Sequence, residues 1–199
     1  GKPKYRRIGE ASHPGPEGGE GIPRCEGPRP YCLAVANVTH LINNAAQIAS
    51  MDYDVLYITE HSTLPARVRE AKDALGNAHK ISLSPLDPEK GHPVGGVACI
   101  HRGSAKHVVE PKPVLPATAP LLQEGRLGMY ATPVAAHQYI LVYVVYGWQG
   151  GDYDPKIAKR TDDLLAQVLA DAAAQPPGPI LVVGDFNASL CNLPAVAQS

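Results

Sequence analysis

The sequence predicts an α/β fold with a mixed β-sheet. Between residues 31 and 75, short apolar segments alternate with amphipathic ones, which is the order expected of strands and helices. From about residue 79 to residue 146, apolar segments follow one another without intervening helices, so hairpins and antiparallel pairing are expected. The 199 residues are 44% hydrophobic, which is enough apolar material for one core.

Composition and charge exclude several classes of protein. A formal net charge of -1 argues against holding nucleic acid by bulk positive charge, although transient or catalytic contact stays open. The longest apolar segments, such as residues 139–146, are far shorter than the roughly 20 residues of a membrane-spanning helix, so no membrane span is expected. The cysteines lack the C-x-x-C spacing of a zinc site, and we expect free thiols: Cys25, Cys32, Cys99 and Cys191.

Residues 1–30 differ from the rest of the chain. They contain seven Gly and six Pro among charged residues and almost no large apolar side chains, so we expect a disordered or linker segment before a domain over 31–199. The chain begins with Gly and shows no apolar leader, and we expect an excerpt of a longer, intracellular protein, with the nucleus open as its compartment.

The first four predicted elements alternate strand and helix. Residues 31–36 and 55–58 are apolar segments of the length of buried strands. Between them, residues 39–50 place apolar side chains on one face at helical spacing, with Thr39 as the expected N-cap. A second helix is expected over 65–75, because its first residue is a proline, which is typical of a first helical turn.

Predicted strands then follow one after another, at about 79–84, 95–101, 106–110, 126–134 and 138–146. The segment 110–120 contains four Pro and is predicted to be a loop. The last helix has Asp154 as its N-cap and Pro155 in its first turn, and it ends before the Pro-rich segment that begins at Gln175. A final strand is expected at 180–183.

Polar side chains stand at or just beyond the ends of predicted apolar strands: Asn37, Glu60, Tyr146, Asp185 and Asn187. Strand ends are where α/β proteins place ligand-binding groups, so a shared sheet edge would bring these side chains together. Oxygen ligands of this kind suit Mg²⁺, with Mn²⁺ as an alternative. Carboxylates beside such a cation can hold the metal and deprotonate a water, while carboxamide and phenol groups bind phosphate oxygens. The pattern therefore predicts phosphodiester cleavage.

Five short motifs follow one another along the chain: Ala36-Asn37-Val38, Ile58-Thr59-Glu60, Gly95-Gly96-Val97-Ala98, Val145-Tyr146-Gly147 and Gly184-Asp185-Phe186-Asn187. In this order they resemble the endonuclease/exonuclease/phosphatase superfamily, and most closely the endonuclease domains of non-LTR retrotransposons. The resemblance covers residues 31–190, and its most specific element is the Gly-Asp-Phe-Asn motif after a Val-rich strand. It implies a deoxyribonuclease-I-like four-layer α/β sandwich, Mg²⁺ as the cofactor and DNA as the partner.

The resemblance implies a role for each site residue. Glu60 is similar to the metal-binding glutamate of the family, and Asn37 is similar to the asparagine that supports the metal and the phosphate. Tyr146 is similar to the tyrosine that hydrogen-bonds the scissile phosphate. Asp185 is similar to the aspartate that positions or activates the attacking water, and Asn187 to its orienting partner. The implied reaction hydrolyses a phosphodiester to a free hydroxyl and a phosphate end.

The chain also departs from the family pattern. Ala36 and Thr59 stand where family members often have Trp and Gln. The family closes its site with a late Ser-Asp-His motif, but only twelve residues follow Asn187 and none of them is His. We therefore expect a domain that lacks the last strands of the sandwich, and it is either an active hydrolase or an inactive fragment.

Other interpretations stay open at this point. Besides a DNA endonuclease, the sequence is compatible with a remnant that binds nucleic acid or protein without cutting. It is also compatible with a phosphatase or phosphodiesterase of the same superfamily that acts on lipid or RNA. His61, next to Glu60, is expected in a surface loop, and Trp148 is expected either to stack on a base or to cover the end of the sheet.

Overall fold

The structure, a computed structural model, describes residues 31–88, 94–103, 108–135 and 138–197. The segment 1–30, which is predicted to be disordered, lies outside these residues. So do two residues of the predicted strand at 106–110; its described part forms an isolated bridge between Val109 and Ala131.

The first half of the chain forms a four-stranded sheet, called the first sheet below. Its elements are β1 (Leu33–Asn37), α1 (Leu41–Ser50), β2 (Val55–Thr59), α2 (Val68–Leu75), β3 (His79–Leu83) and β4 (Val97–Arg102). The strand order is β1-β2-β4-β3. Strands β1 and β2 are parallel and joined by α1, whereas β4 runs antiparallel to both of its neighbours.

The second half forms a three-stranded sheet, called the second sheet. Its elements are α3 (Ala119–Gln123), β5 (Leu127–Ala135), β6 (Gln138–Tyr146), α4 (Pro155–Ala174), β7 (Ile180–Asp185) and α5 (Pro194–Ala197). Strands β5 and β6 form an antiparallel pair, and β6 pairs in parallel with β7 after the α4 crossover. Each sheet thus combines parallel and antiparallel pairs, as the sequence predicts.

The elements pack as four layers with apolar side chains between them. One cluster joins α1 and α2 to the first sheet, a second joins the two sheets, and a third joins the second sheet to α4. Strand β2 is buried along its whole length because both of its faces are covered. Leu56 and Ile58 belong to the helix-facing cluster, and Val55 and Tyr57 belong to the cluster between the sheets. This is the four-layer α/β sandwich expected from the sequence.

Most predicted elements are confirmed within one to two residues. The clearest is α4, where the Asp154 carboxylate accepts a hydrogen bond of 2.8 Å from the Lys156 amide and Pro155 is the first helical residue. The expected helix over 65–75 begins with a 3-10 turn at Pro65–Arg67 before α2. Among the described cysteines, Cys32, Cys99 and Cys191 are free thiols, as expected.

Two predictions about local structure are wrong. Thr39 does not cap α1, because its backbone is left-handed, with φ 57, and His40, whose backbone is extended, occupies the N-cap position. The Pro-rich segment 110–120 is not entirely a loop, because a 3-10 turn at Pro116–Thr118 leads into α3. Proline at the start of this turn is compatible with helix, since its missing N–H needs no partner there.

No described helix is both long and apolar enough to cross a bilayer.

Candidate active site

The five predicted site residues lie together at one edge of the sandwich. Asn37 is the last residue of β1, Tyr146 the last of β6 and Asp185 the last of β7, while Glu60 directly follows β2. Because β1 pairs in parallel with β2, and β6 with β7, the carboxyl ends of each pair meet at the same edge. The first sheet thus supplies Asn37 and Glu60, and the second sheet supplies the other three.

Asn37 joins the two sheets. Its side-chain amide donates to Glu60 Oε1 at 3.1 Å and to Asp185 Oδ2 at 2.7 Å. Its Oδ1 accepts from the Thr39 amide, which fixes the orientation of the carboxamide. The carboxylates of Glu60 and Asp185 are therefore held by two hydrogens of one NH₂ group.

The two oxygens of Glu60 have different surroundings. Oε1 accepts three hydrogen bonds, from Asn37 Nδ2 at 3.1 Å, from the Tyr146 hydroxyl at 2.8 Å and from Gln149 Nε2 at 3.0 Å. Within the described part of the chain, no hydrogen bond to Oε2 is present. Oε2 is therefore the oxygen of Glu60 that is open to a cation, and carboxylate oxygens are preferred ligands of Mg²⁺.

Asp185 and Asn187 form a local turn that ends β7. Asp185 Oδ1 accepts from the Asn187 amide at 3.1 Å, and Asn187 Nδ2 donates to the Gly147 carbonyl at 3.1 Å. Asn187 has φ 53, in the left-handed region that asparagine tolerates better than most residues. Gly184 is required before Asp185, because its φ is 141 and a Cβ there would lie 1.9 Å from the Val145 carbonyl oxygen.

The backbone at Glu60 is also left-handed, with φ 60. This conformation is uncommon for a glutamate and is held by the β3–β4 connection, since the Glu60 amide donates to the Gly96 carbonyl at 2.8 Å and the Ser62 amide to the Gly95 carbonyl at 3.0 Å. The Glu60 side chain is therefore aimed by backbone contacts that do not involve its carboxylate.

The structure places His61 in the interior, so the expectation of a surface loop residue is wrong. The side chain is 1% exposed, its Nε2 faces the Ser84 carbonyl at 3.2 Å and its Nδ1 accepts from the Thr63 amide at 3.1 Å. Burial lowers the pKa of His61 to about 4, so the ring is neutral near pH 7. Space for the ring exists because Gly96 has no side chain: a Cβ there would lie 2.2 Å from His61 Nε2.

Tyr146 stays protonated at neutral pH. The residue is buried, and burial together with the neighbouring Glu60 carboxylate raises the pKa of the phenol above its usual value. The hydroxyl therefore acts as a hydrogen-bond donor beside the two carboxylates.

Two residues that sequence reasoning missed contact this site. Gln149 donates to Glu60, and Arg126 is buried behind Tyr146 with its guanidinium 4.8 Å from the centre of that ring. The position of Gln149 could have indicated a site residue, because it is a polar residue three positions after the end of β6, and the predicted site residues also lie at or near strand ends. Trp148 packs on the second-sheet core with a buried indole nitrogen, which supports the sheet-covering interpretation over base stacking.

The donor set fits one divalent cation of the Mg²⁺ type. Among the described residues no group of three or more His, Cys, Asp or Glu side chains is placed to hold a metal ion. Mg²⁺ needs no such cage, because it keeps several waters and is bound through one or two carboxylates together with substrate phosphate. The open oxygen of Glu60 matches that requirement. Asn37 could bind a cation only through Oδ1, because its Nδ2 donates to the two carboxylates.

Comparisons with known proteins bear on the fold. No protein-family model and no curated protein sequence matches the chain. An AP endonuclease from Leishmania major superposes with a TM-score of 0.54 at 18% identity, covering 78% of this chain and 54% of that one. An AP endonuclease from Archaeoglobus fulgidus gives a TM-score of 0.55 at 14% identity, with 79% and 57% covered. The 3′ phosphatase NExo from Neisseria, bound to a product DNA hairpin, gives 0.51 at 21% identity, with 79% and 58% covered.

These similarities define the class of fold. The two sheets flanked by helices are the deoxyribonuclease-I-like fold of the AP endonuclease structures, so the predicted fold class is confirmed. The structures that resemble the chain are members of the endonuclease/exonuclease/phosphatase superfamily, one of them described by that family name, from Bacteroides thetaiotaomicron. The chain spans 54% to 58% of the length of these structures.

Proposed function

We propose that this chain is a Mg²⁺-dependent phosphodiester hydrolase that acts on DNA, as an endonuclease domain of the retroelement type. The observation that carries the proposal is the hydrogen-bonded network of Asn37, Glu60, Tyr146 and Asp185, which spans both sheets and leaves Glu60 Oε2 without a donor among the described residues. The fold that the chain shares with AP endonucleases and with a DNA-bound 3′ phosphatase supports DNA as the substrate class.

Glu60 and Asn37 are the residues that would hold the cation. Bound there, Mg²⁺, or Mn²⁺ in its place, would neutralise negative charge on the phosphate and act as a Lewis acid. The contribution of the chain is to present one carboxylate oxygen at a fixed position, because three donors and a constrained backbone orient the Glu60 side chain.

Asp185 is the residue best placed to orient and deprotonate a water. One of its oxygens is fixed by Asn37 and the other by the Asn187 amide, so the carboxylate cannot rotate freely. In the proposed step the water oxygen forms a bond to phosphorus and gives its proton to Asp185. The bond from phosphorus to the leaving sugar oxygen breaks, and solvent protonates that oxygen.

Tyr146 and Asn187 supply neutral hydrogen-bond donors for the phosphate. The raised pKa of Tyr146 keeps its proton on the phenol. This single hydrogen donates to Glu60 in the structure, and in the proposed step the hydroxyl would turn to donate to a non-bridging oxygen as charge develops there. Asn187 presents an NH₂ group from the end of β7, held by the Gly147 carbonyl. Both groups are fixed before substrate binds, which is the condition for electrostatic stabilisation of a transition state.

A second candidate function is binding without cleavage. It is favoured by one observation: among the described residues, no group of three or more His, Cys, Asp or Glu side chains is placed to hold a metal ion. Such a protein would bind nucleic acid or a protein partner at the same edge and would not hydrolyse it.

The test is nicking of supercoiled plasmid, with an abasic-site duplex alongside, in Mg²⁺ and in EDTA. Glu60→Gln and Asp185→Ala are compared with Glu70→Gln and Asp73→Ala, which change exposed carboxylates on α2. We expect Mg²⁺-dependent cleavage that falls about 1000-fold in the site variants and is unchanged in the controls.

The outcomes separate the candidate functions. Binding of the abasic duplex without cleavage, by folded protein, would favour the non-catalytic candidate. An RNA and a phosphorylated lipid are assayed in parallel, and cleavage of either in preference to the DNA substrates would move the proposal to another substrate class within the same chemistry. Equal rates in Mg²⁺ and EDTA would contradict the role of the cation.

A further inference from the structure

A buried ion pair ties the two sheets together directly behind the candidate site. Arg126 precedes β5 of the second sheet, and Asp87 lies in the connection between β3 and β4 of the first sheet. Arg126 Nη2 and Asp87 Oδ2 are in contact, and each side chain is 3% exposed. The pair therefore crosses the same interface as the hydrogen bonds of Asn37 and Tyr146, which hold the two halves of the site.

The guanidinium of Arg126 also contacts the segment that ends β6. Its Nη1 donates to the Gly147 carbonyl at 3.0 Å and approaches the Tyr146 carbonyl at 3.4 Å. Its guanidinium lies 4.8 Å from the centre of the Tyr146 ring and 4.7 Å from the centre of the Trp148 ring. One planar group thus fixes both the backbone and the aromatic side chains of this segment.

Gly147 connects the Arg126 guanidinium to two other site residues, Asn187 and Asp185. Its carbonyl accepts from Arg126 and also from Asn187 Nδ2 at 3.1 Å, and its amide donates to the Asp185 carbonyl at 2.8 Å. A displacement of Gly147 would therefore move the Asn187 carboxamide as well as Tyr146.

Stability alone does not explain a charged pair at this position. Two well-packed apolar side chains of similar volume commonly stabilise a fold as much as a buried ion pair does, because desolvation of the charges offsets their attraction. The guanidinium does what an apolar group cannot: it donates to two partners at once and stacks on rings. The geometry of the guanidinium is therefore suited to fixing the orientation of the groups that it contacts.

We propose that Arg126, anchored by Asp87, is a positioning residue that holds the Tyr146 phenol and the Asn187 carboxamide in the arrangement required for the phosphate. The kinetic part of this inference rests on the proposed function, whereas the geometric part does not. Arg126 does not touch the substrate in this role, because it lies behind Tyr146 and is buried.

The test compares three variants with a matched control. Arg126→Met removes the charge and the fork of donors, Arg126→Lys keeps the charge without the fork, and Asp87→Asn removes the anchor. Arg67→Met is the control, because Arg67 forms an exposed ion pair with Glu70 away from the site. Thermal unfolding first establishes which variants are folded, and Arg126→Lys and Asp87→Asn carry the test if Arg126→Met is not.

Two readouts are taken on each folded variant. The side-chain NH₂ signals of Asn187 in ¹H–¹⁵N NMR, and the fluorescence of Trp148, which is the single tryptophan of the chain, report the geometry without any need for cleavage. Cleavage of the abasic duplex in Mg²⁺ gives kcat and KM separately.

We expect Arg126→Met and Arg126→Lys to shift the Asn187 and Trp148 signals and to lower kcat about 100-fold with KM changed less than about threefold. Arg126→Lys should recover thermal stability but not kcat, which distinguishes positioning from a structural role. Unchanged Asn187 signals, or full recovery of kcat by lysine, would overturn the inference. If the wild-type chain cuts no substrate, the proposed function fails while the NMR and fluorescence still decide the positioning.

Discussion

Strand β6 carries two tyrosines that donate to carboxylates on opposite sides of the second sheet. Tyr143 donates to Asp171 of α4 at 2.7 Å, and Tyr146 donates to Glu60 of the first sheet at 2.8 Å. The two pairs have the same chemistry and nearly the same distance, and both tyrosines are buried. The two carboxylates differ in their other hydrogen bonds and in their exposure, and these differences indicate different roles.

Asp171 is fully enclosed and both of its oxygens are used. Oδ1 accepts from the Leu115 amide at 2.6 Å, while Oδ2 accepts from the Tyr143 hydroxyl at 2.7 Å and from Gln175 Nε2 at 3.0 Å. Burial opposes ionisation of Asp171, but the hydrogen bonds from Leu115, Tyr143 and Gln175 outweigh it and lower the pKa. This pair joins the Pro-rich connection to α4 and β6, and it leaves nothing for a ligand.

Glu60 is partly exposed, and its three donors all reach the same oxygen. Its backbone is held in the left-handed region, which costs free energy and is typical of functional sites. The comparison shows that a buried tyrosine-carboxylate pair is not in itself a sign of function. What distinguishes the candidate site is incomplete satisfaction of a carboxylate at the edge of the sheets.

Removing the two phenols should separate activity from stability. Tyr146→Phe removes the hydroxyl that donates to Glu60 and that would donate to the phosphate in the proposed step, so it should lower the rate of Mg²⁺-dependent cleavage about 100-fold. Tyr143→Phe should leave that rate within about twofold and lower the free energy of unfolding by about 1 kcal/mol. Cleavage assays and urea unfolding on both variants check this, and equal losses of activity would show that the two pairs do not differ as proposed.

Changing the buried carboxylate should act on stability alone. Asp171→Asn replaces one carboxylate oxygen by an NH₂ group, which cannot accept a hydrogen bond from the Leu115 amide or the Tyr143 hydroxyl. We expect the free energy of unfolding to fall by about 2 kcal/mol, with no change in cleavage by the folded protein. Its effect should depend on pH. Because the folded-state pKa lies below the ordinary value of 3.8, the contribution of Asp171 is complete above that value and is lost as the pH falls through the folded pKa.

Urea unfolding of wild type and Asp171→Asn between pH 7 and pH 3 measures this dependence. The difference in stability between the two proteins should be constant at the upper end and should shrink toward the lower end. A difference that grows on acidification would show that the sign of the pKa shift is wrong.

The smallest effect is expected at Gln149. Gln149→Ala removes one exposed donor to Glu60 and should lower cleavage about fivefold, corresponding to roughly 1 kcal/mol for a single hydrogen bond. Gln167→Ala, an exposed glutamine on α4, is the control. A loss as large as that of Tyr146→Phe would mean that Gln149 has a larger role than orienting Glu60.

Much of the fold follows from local patterns in the sequence. Alternating apolar segments identify β1, β2 and β6, and the Asp154-Pro155 pair identifies the start of α4. The α3 helix was missed because proline marks loops and first helical turns equally well. Thr39 precedes the N-cap, although threonine is a common cap, because its backbone is left-handed and leaves the N-cap position to His40.

The candidate site shows where sequence reasoning ends. Strand ends predict that Asn37, Glu60, Tyr146, Asp185 and Asn187 are near one another, since parallel strands share an edge. Sequence does not show that the two sheets face each other with these ends aligned, so the contacts of Asn37 with Asp185 and of Arg126 with Asp87 could not be foreseen. The burial of His61 depends on the missing side chain of Gly96, which is a long-range packing relation.

The most direct measurement is a Mg²⁺ titration followed by the side-chain NH₂ signals in ¹H–¹⁵N NMR. The signals of Asn37 and Gln149, which both donate to Glu60, should shift and saturate, whereas the signal of Gln175, which donates to Asp171, should not move. The shifts should be absent in Glu60→Gln. Unmoved Asn37 and Gln149 signals at millimolar Mg²⁺, or the same shifts in Glu60→Gln, would contradict a cation site at the open carboxylate.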